Sequence, residues 1–156
     1  MNATVASLHL HPPQAGDPLV SVQSIDVIEQ KGITGEPRYF GRVRSNGEVS
    51  RRQISLIERE QLAEHAAALK IQSIPSGAAR ANIETTGVNL VSLVGQKVRI
   101  GNAVLLFYEP RTPCEKMDAV CQGLRALMAN ARQGVMAEVV QSGSIRIGDA
   151  ISPISE

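Results

Sequence analysis

The chain has 156 residues, 43% hydrophobic and 20% charged, with a formal net charge of +1. That length supports one domain with a sizeable core, and the near-neutral charge gives no global field toward nucleic acid or membrane. Aromatics make up 3% and Trp is absent, so Val, Ile, Leu and Ala must build the core, and a base-stacking platform for single-stranded nucleic acid is disfavoured.

Residues 1–18 hold Pro12, Pro13, Gly16 and Pro18. They read as a flexible N-terminal arm, with some strand at Val5 to Leu10, ahead of a single domain over 19–156. His9 and His11 would share one strand face, but the only other histidine is His65, too few ligands for a metal site. Leu19 to Glu29 is rich in Val and Ile and reads as strand. Lys31 to Arg38, with two glycines and a proline, reads as loop. Val49 to Ile54 predicts a short strand. Ser55 followed by Glu58 fits a capping box, opening a helix through Leu62, Ala66 and Leu69 to about Lys70. Ser73 to Ala81 is a loop. Val98 to Ile100 and Ala103 to Tyr108 predict a hairpin around Gly101-Asn102.

Cys114 closes the segment Glu109-Pro110-Arg111-Thr112-Pro113-Cys114, directly after the most apolar run of the chain. The apolar positions Met117, Val120, Cys121, Leu124, Leu127 and Met128 predict one helix from Cys114 to Asn130. Cys121 would then be core packing. A helix N-terminus carries about half a positive charge and favours thiolate, and Pro113 would present the thiol from a stiff turn. The two cysteines would lie about 10 Å apart along the axis, too far for a disulfide. Two unpaired thiols suggest a reducing compartment. The first residues show no secretory signal pattern and no window has membrane-span length, so cytoplasm is expected. Gly134 to Val140 and the stretch around Ile145 and Ile147 predict a second hairpin, and Asp149 a turn. The whole reads as mainly β (α+β), a barrel or curled sheet with about two helices.

Local charge is more telling than the total. Lys31, Arg38, Arg42, Arg44, Arg51 and Arg52 face only Glu36 and Glu48 within one stretch, and Arg80 and Arg111 lie in other loops. Arginine suits bidentate binding of phosphate or carboxylate. A solvated basic face, or an interaction module with a structural Cys114, is the competing reading. Neither a dinucleotide fingerprint nor a P-loop is present.

Taken in order, the residues form a series. Gly32-Ile33-Thr34-Gly35 leads into the basic loop, then Arg52-Gln53-Ile54-Ser55-Leu56-Ile57. Arg80, Asn82 and Ile83 follow, with Gly87-Val88-Asn89-Leu90, Leu93-Val94-Gly95 and Ile100-Gly101-Asn102-Ala103. Arg111-Thr112-Pro113-Cys114 comes next, and Gly134 to Gly148-Asp149 closes it. From about Val20 to Ile151 this resembles a MOSC domain, the module named for the C-terminal part of molybdenum cofactor sulfurases. The resemblance implies a curled, barrel-like β fold in which Cys114 is the characteristic cysteine. It implies the molybdenum cofactor as ligand, with Cys114 as metal-ligating thiolate in a possible reductase of N-hydroxylated compounds. The alternative it implies is a sulfur carrier with a persulfide at Cys114. Arg80 and Asn82 would help form the cofactor pocket. Arg38, Arg51, Arg52 and Arg111 would hold the pterin phosphate. Glu36 stands where the family usually has Asp after Gly35. The resemblance includes no pyridoxal-phosphate site, so sulfur would come from a separate cysteine desulfurase, and electrons from a separate redox partner.

Overall fold

A computed structural model describes residues 2–114 and 116–154. The strands are β1 (Thr4–Leu10), β2 (Val20–Val22), β3 (Ser24–Ile28), β4 (Gly32–Ile33), β5 (Ile54–Glu58), β6 (Ile83–Thr86), β7 (Lys97–Ile100), β8 (Ala103–Pro110), β9 (Val135–Gln141), β10 (Gly143–Arg146) and β11 (Ile151–Pro153). The helices are α1 (Arg59–Ala68), α2 (Lys116–Val120) and α3 (Leu124–Leu127). Eight strands form one sheet in the order β11-β7-β8-β9-β5-β6-β1-β2, and β10-β3-β4 form a second of three.

β5 is the strand on which the large sheet is organised. All five of its residues are buried, which suits a strand covered on both faces rather than one showing alternation. It pairs antiparallel with β9 and parallel with β6. The parallel pair needs a crossover, supplied by α1 and the loop that follows it. The sheet curls until Thr4 of β1 bridges Ala150, just before β11. That single bridge is not a ladder, and β2 continues beyond β1, so the expected barrel is curled but unclosed. The main core lies inside this curl, with Phe107 among aliphatic side chains. A second cluster joins Ile57, Leu62, Ala79, Met117, Leu124 and Met128 under the helices.

Several expectations change. The first segment is not simply an arm: β1 is hydrogen-bonded on both sides, to β2 and β6. His9 is buried within it, against Ser7 and Glu84. Burial pushes its pKa down, opposed by Glu84, with Arg59 lowering it further. The capping box does not form. Ser55 belongs to β5, and α1 starts at Arg59 with no side-chain cap, because residues 54–58 are claimed by the centre of the sheet. The expected single helix after Cys114 is two short ones. Gly123, at φ 94°, starts α3 from a left-handed conformation and breaks the helical run. Cys121 sits at this break, half-buried rather than in the core. The predicted hairpin β9–β10 is also absent, because β10 pairs with β3 while β9 lies between β8 and β5. The hairpin β7–β8 around Gly101-Asn102 is present, and Asp149 closes a turn by accepting from the Arg146 N–H at 2.8 Å.

Gly134 leads the chain into β9 at φ 82°, where an added Cβ would stand 1.9 Å from the Leu56 carbonyl oxygen. Gly134→Ala must therefore push β9 away from β5. The expected loss is at least ~3 kcal/mol, read from the denaturant midpoint of the purified variant.

Candidate functional site

The functional side chains converge where the curled sheet is open at one end. Segments 36–39, 52–55, 80–82 and 108–112, with Cys114, Lys116 and the residues around the start of β9, surround one depression. Its outer part is a cleft of about 380 Å³ lined by Arg38, Tyr39, Arg52, Arg80, Arg111 and Cys114, with Tyr108, Lys116, Gln133 and Met136 among its other walls. A small pit of about 40 Å³ continues inward toward Glu36, Ser55 and Asn82.

The floor is a polar knot. Asn82 is 2% exposed, and its amide is fully committed. Its Oδ1 accepts from the Ser55 N–H at 3.0 Å and the Ser55 hydroxyl at 3.2 Å. Its Nδ2 donates to the His9 carbonyl and to Glu36 Oε2, each at 3.0 Å. Glu36 is 1% exposed, a costly place for a carboxylate unless it is paired. The same Oε2 also accepts from the His11 backbone N–H and lies 2.7 Å from His11 Nδ1. His11 Nε2 lies 3.2 Å from the Arg80 carbonyl, so both ring nitrogens face acceptors. Tyr39 meets the His11 ring edge-on, with centroids 5.0 Å apart.

The cations lie above this floor. Arg38 and Arg52 flank Tyr39, at 5.2 and 5.3 Å from its ring centroid. Arg111 spans two segments, donating to the Ala79 carbonyl at 3.0 Å and the Gln133 carbonyl at 3.3 Å. Burial lowers its pKa to about 10, with the charge of Arg52 adding to the effect and Cys114 opposing it. A guanidinium does not give up its proton in a protein, so the stress is better read as a demand for a nearby anion. Arg80 adopts φ 63°, a left-handed conformation costing ~1–2 kcal/mol for a side chain with a Cβ. Its Nη1 donates to the Asp17 carbonyl at 3.0 Å, while its buried Nη2 has no partner among the described residues. Tyr108 is pushed up to about 12 by burial and Glu109, against the pull of Arg51 and Arg52, so its phenol keeps its proton.

Of the residues singled out in the sequence, Cys114, Arg38, Arg52, Arg80 and Arg111 meet in the cleft. Asn82 lines the pit, but its amide is spent holding the floor. Arg51 is not among the lining residues. It pairs with Glu138 at 3.2 Å and lies over Tyr108, 4.2 Å from the centroid. Cys114 is half-buried, and α2 begins after it with only five residues, so the long helix dipole expected to act on the thiol is not there. His11, Glu36, Tyr39 and Gln133 were missed. His11 carries a signal, as the second histidine of His9-Leu10-His11, but the prolines that follow it read as a loose arm.

The curled, mainly β fold matches a known class. The chain belongs to the MOSC domain family, whose model matches residues 30–152. The YUAD protein from Bacillus subtilis superposes with a TM-score of 0.82 at 20% identity, covering 100% of this chain and 97% of that one. YiiM from Escherichia coli gives 0.72 at 19%, covering 100% of this chain and 71% of its own. YiiM from Geobacillus stearothermophilus gives 0.74 at 17%, covering 98% and 75%. These identities establish a shared fold. No curated protein matches the chain. Among the described residues no helix is long and apolar enough to cross a membrane.

The two outlying arginine and asparagine roles are separable by stability. Asn82→Asp replaces a donor by an acceptor against Glu36 and the His9 carbonyl, and should cost ~2–4 kcal/mol. Arg51→Ala breaks an exposed pair and should cost no more than ~1 kcal/mol. Parallel urea denaturation of both variants checks the contrast.

Proposed function

We propose that this protein binds the molybdenum cofactor in the basic cleft, with the Cys114 thiolate as a metal ligand. The observation that carries this reading is that a half-buried thiol opens onto the same cleft as four arginines from three loops. The donor set fits. A soft metal favours thiolate, and a phosphate-bearing group meets guanidinium forks suited to it. Among the described residues no cluster of three or more His, Cys, Asp or Glu could hold a metal alone. That favours a group arriving with its own sulfur donors and needing one thiolate from the protein. The unpartnered Arg80 Nη2 and the stress on Arg111 both call for an anion.

When bound, the cofactor supplies two-electron redox chemistry suited to reducing N-hydroxylated compounds. Cys114 would fix it in place. Arg38, Arg52, Arg80 and Arg111 would hold its phosphate, and Arg51 would keep Tyr108 in position from outside. The Tyr108 hydroxyl would hold a proton at the wall of the cleft. A separate redox partner would deliver electrons.

A second reading rests on the partial exposure of Cys114. Its thiolate would attack the outer sulfur of a persulfide on a separate cysteine desulfurase. A new S–S bond would form at Cys114, and the desulfurase thiolate would leave with the electron pair of the broken bond.

Molybdenum and pterin should be measured in protein produced by a host that makes the cofactor. Near-stoichiometric molybdenum is expected in the wild type, with at least a ~10-fold loss in Cys114→Ala, since a thiolate ligand is removed. Equal molybdenum in both proteins excludes Cys114 as a ligand. If neither holds metal, intact mass after incubation with a desulfurase and cysteine tests the carrier reading, and no sulfur added at Cys114 sinks it.

A further inference from the structure

Gln133 is 2% exposed, lines the Cys114 cleft, and its Oε1 has no hydrogen-bond partner among the described residues. Burying a carboxamide without a partner costs ~1–3 kcal/mol. Natural folds rarely leave such a group unless something else meets it. Among the described residues the Gln133 side chain has no hydrogen bond, in contrast to Asn82 on the floor. Its backbone is held on the Arg111 side: the Arg111 guanidinium donates to the Gln133 carbonyl, and the Arg111 backbone N–H donates to the next carbonyl, that of Gly134, at 3.0 Å. The same guanidinium holds the Ala79 carbonyl, next to Arg80. Arg111 thus ties together the two cleft-lining residues with unmet buried polar atoms: a donor at Arg80 Nη2 and an acceptor at Gln133 Oε1.

We propose that Gln133 is a specificity-determining residue of the cleft, and that it reads the amide edge of a heterocycle. A carboxamide offers one acceptor and one donor side by side. Its complement is a lactam edge, an N–H beside a C=O, such as that of a pyrimidinone ring. The ligand therefore carries two features: an anionic group for Arg80 and its neighbouring cations, and a lactam-edged ring for Gln133. This rests on the reading of the cleft as a cofactor site and deepens it, since it assigns recognition of the ring to a residue distinct from the thiol.

The test is calorimetric binding of two metal-free probes to the full chain. Pterin-6-carboxylate has both an anion and a lactam edge. 2-Naphthoate has the anion on a fused ring pair without that edge. Wild type should prefer pterin-6-carboxylate. Gln133→Met should bind it ~10-fold or more weakly, while its affinity for 2-naphthoate stays within about 2-fold. Arg80→Met should weaken both probes. Gln133→Met should also fold at least as stably as the wild type, because an unmet polar group is removed; a purely structural glutamine would give the opposite. A wild type without preference for the pterin probe, or a Gln133→Met variant that keeps it, overturns the proposal. Because neither probe carries metal, their binding is read independently of molybdenum retention. A protein that retains molybdenum but ignores Gln133 loses only the present inference. One that prefers the pterin probe without ever holding molybdenum loses only the metal.

Discussion

One buried carboxylate organises the site. Glu36 Oε2 accepts from the His11 backbone N–H and from Asn82, and faces His11 Nδ1. Its partners come from the residue that follows β1 and from the entry to β6, while Glu36 itself lies in the loop after β4; the three segments are far apart in sequence. A charge this deep is tolerable only when its hydrogen bonds are all made. The fold therefore locks three segments into one geometry, and the Arg80 carbonyl is held there through the far side of the His11 ring. The arginines stand on that floor.

The contrast between floor and cleft is the main physical feature of the molecule. Below, polar groups are matched almost atom for atom: the Asn82 amide meets Ser55, His9 and Glu36. Above, matching stops. Arg80 sits at positive φ, Arg111 is desolvated beside another cation, and among the described residues neither Arg80 Nη2 nor Gln133 Oε1 has a partner. Strain and unmet polarity concentrated in one depression are what a binding site stores and a core avoids.

Much of the site was legible because it was written in chemistry that is rare in this chain. A thiol after Pro113 and a dense run of arginines stand out in a sequence that is otherwise aliphatic, and the ordered series of glycine-bearing motifs carried the family resemblance. Asn82 was placed in the pocket, but its role was not readable: whether an amide faces a ligand or the protein depends on partners distant in sequence. Arg51 and Arg52 are neighbours with the same side chain, yet one pairs with Glu138 outside and the other flanks Tyr39 in the cleft. Their opposite directions follow from the path of the chain into β5. His11 was hidden because prolines suggest a loose arm, while the pairing of β1 with β2 and β6 is a long-range event with no local signature.

The sequence by itself determined the mainly β class, the aliphatic core, the hairpin at Gly101-Asn102 and which cysteine faces the cleft. These follow from composition, local periodicity and turn chemistry, which act over a few residues. Tertiary structure decided the rest. It claimed residues 54–58 for the central strand against a plausible helix cap, and it stopped the helical run at Gly123. It left the curled sheet unclosed and paired β10 with β3 rather than β9. It also brought His11, Glu36 and Gln133 to the depression that holds Cys114. Burial and pairing between segments far apart in the chain outweigh local propensities of a fraction of a kcal/mol, and such pairings exist only once the chain has folded.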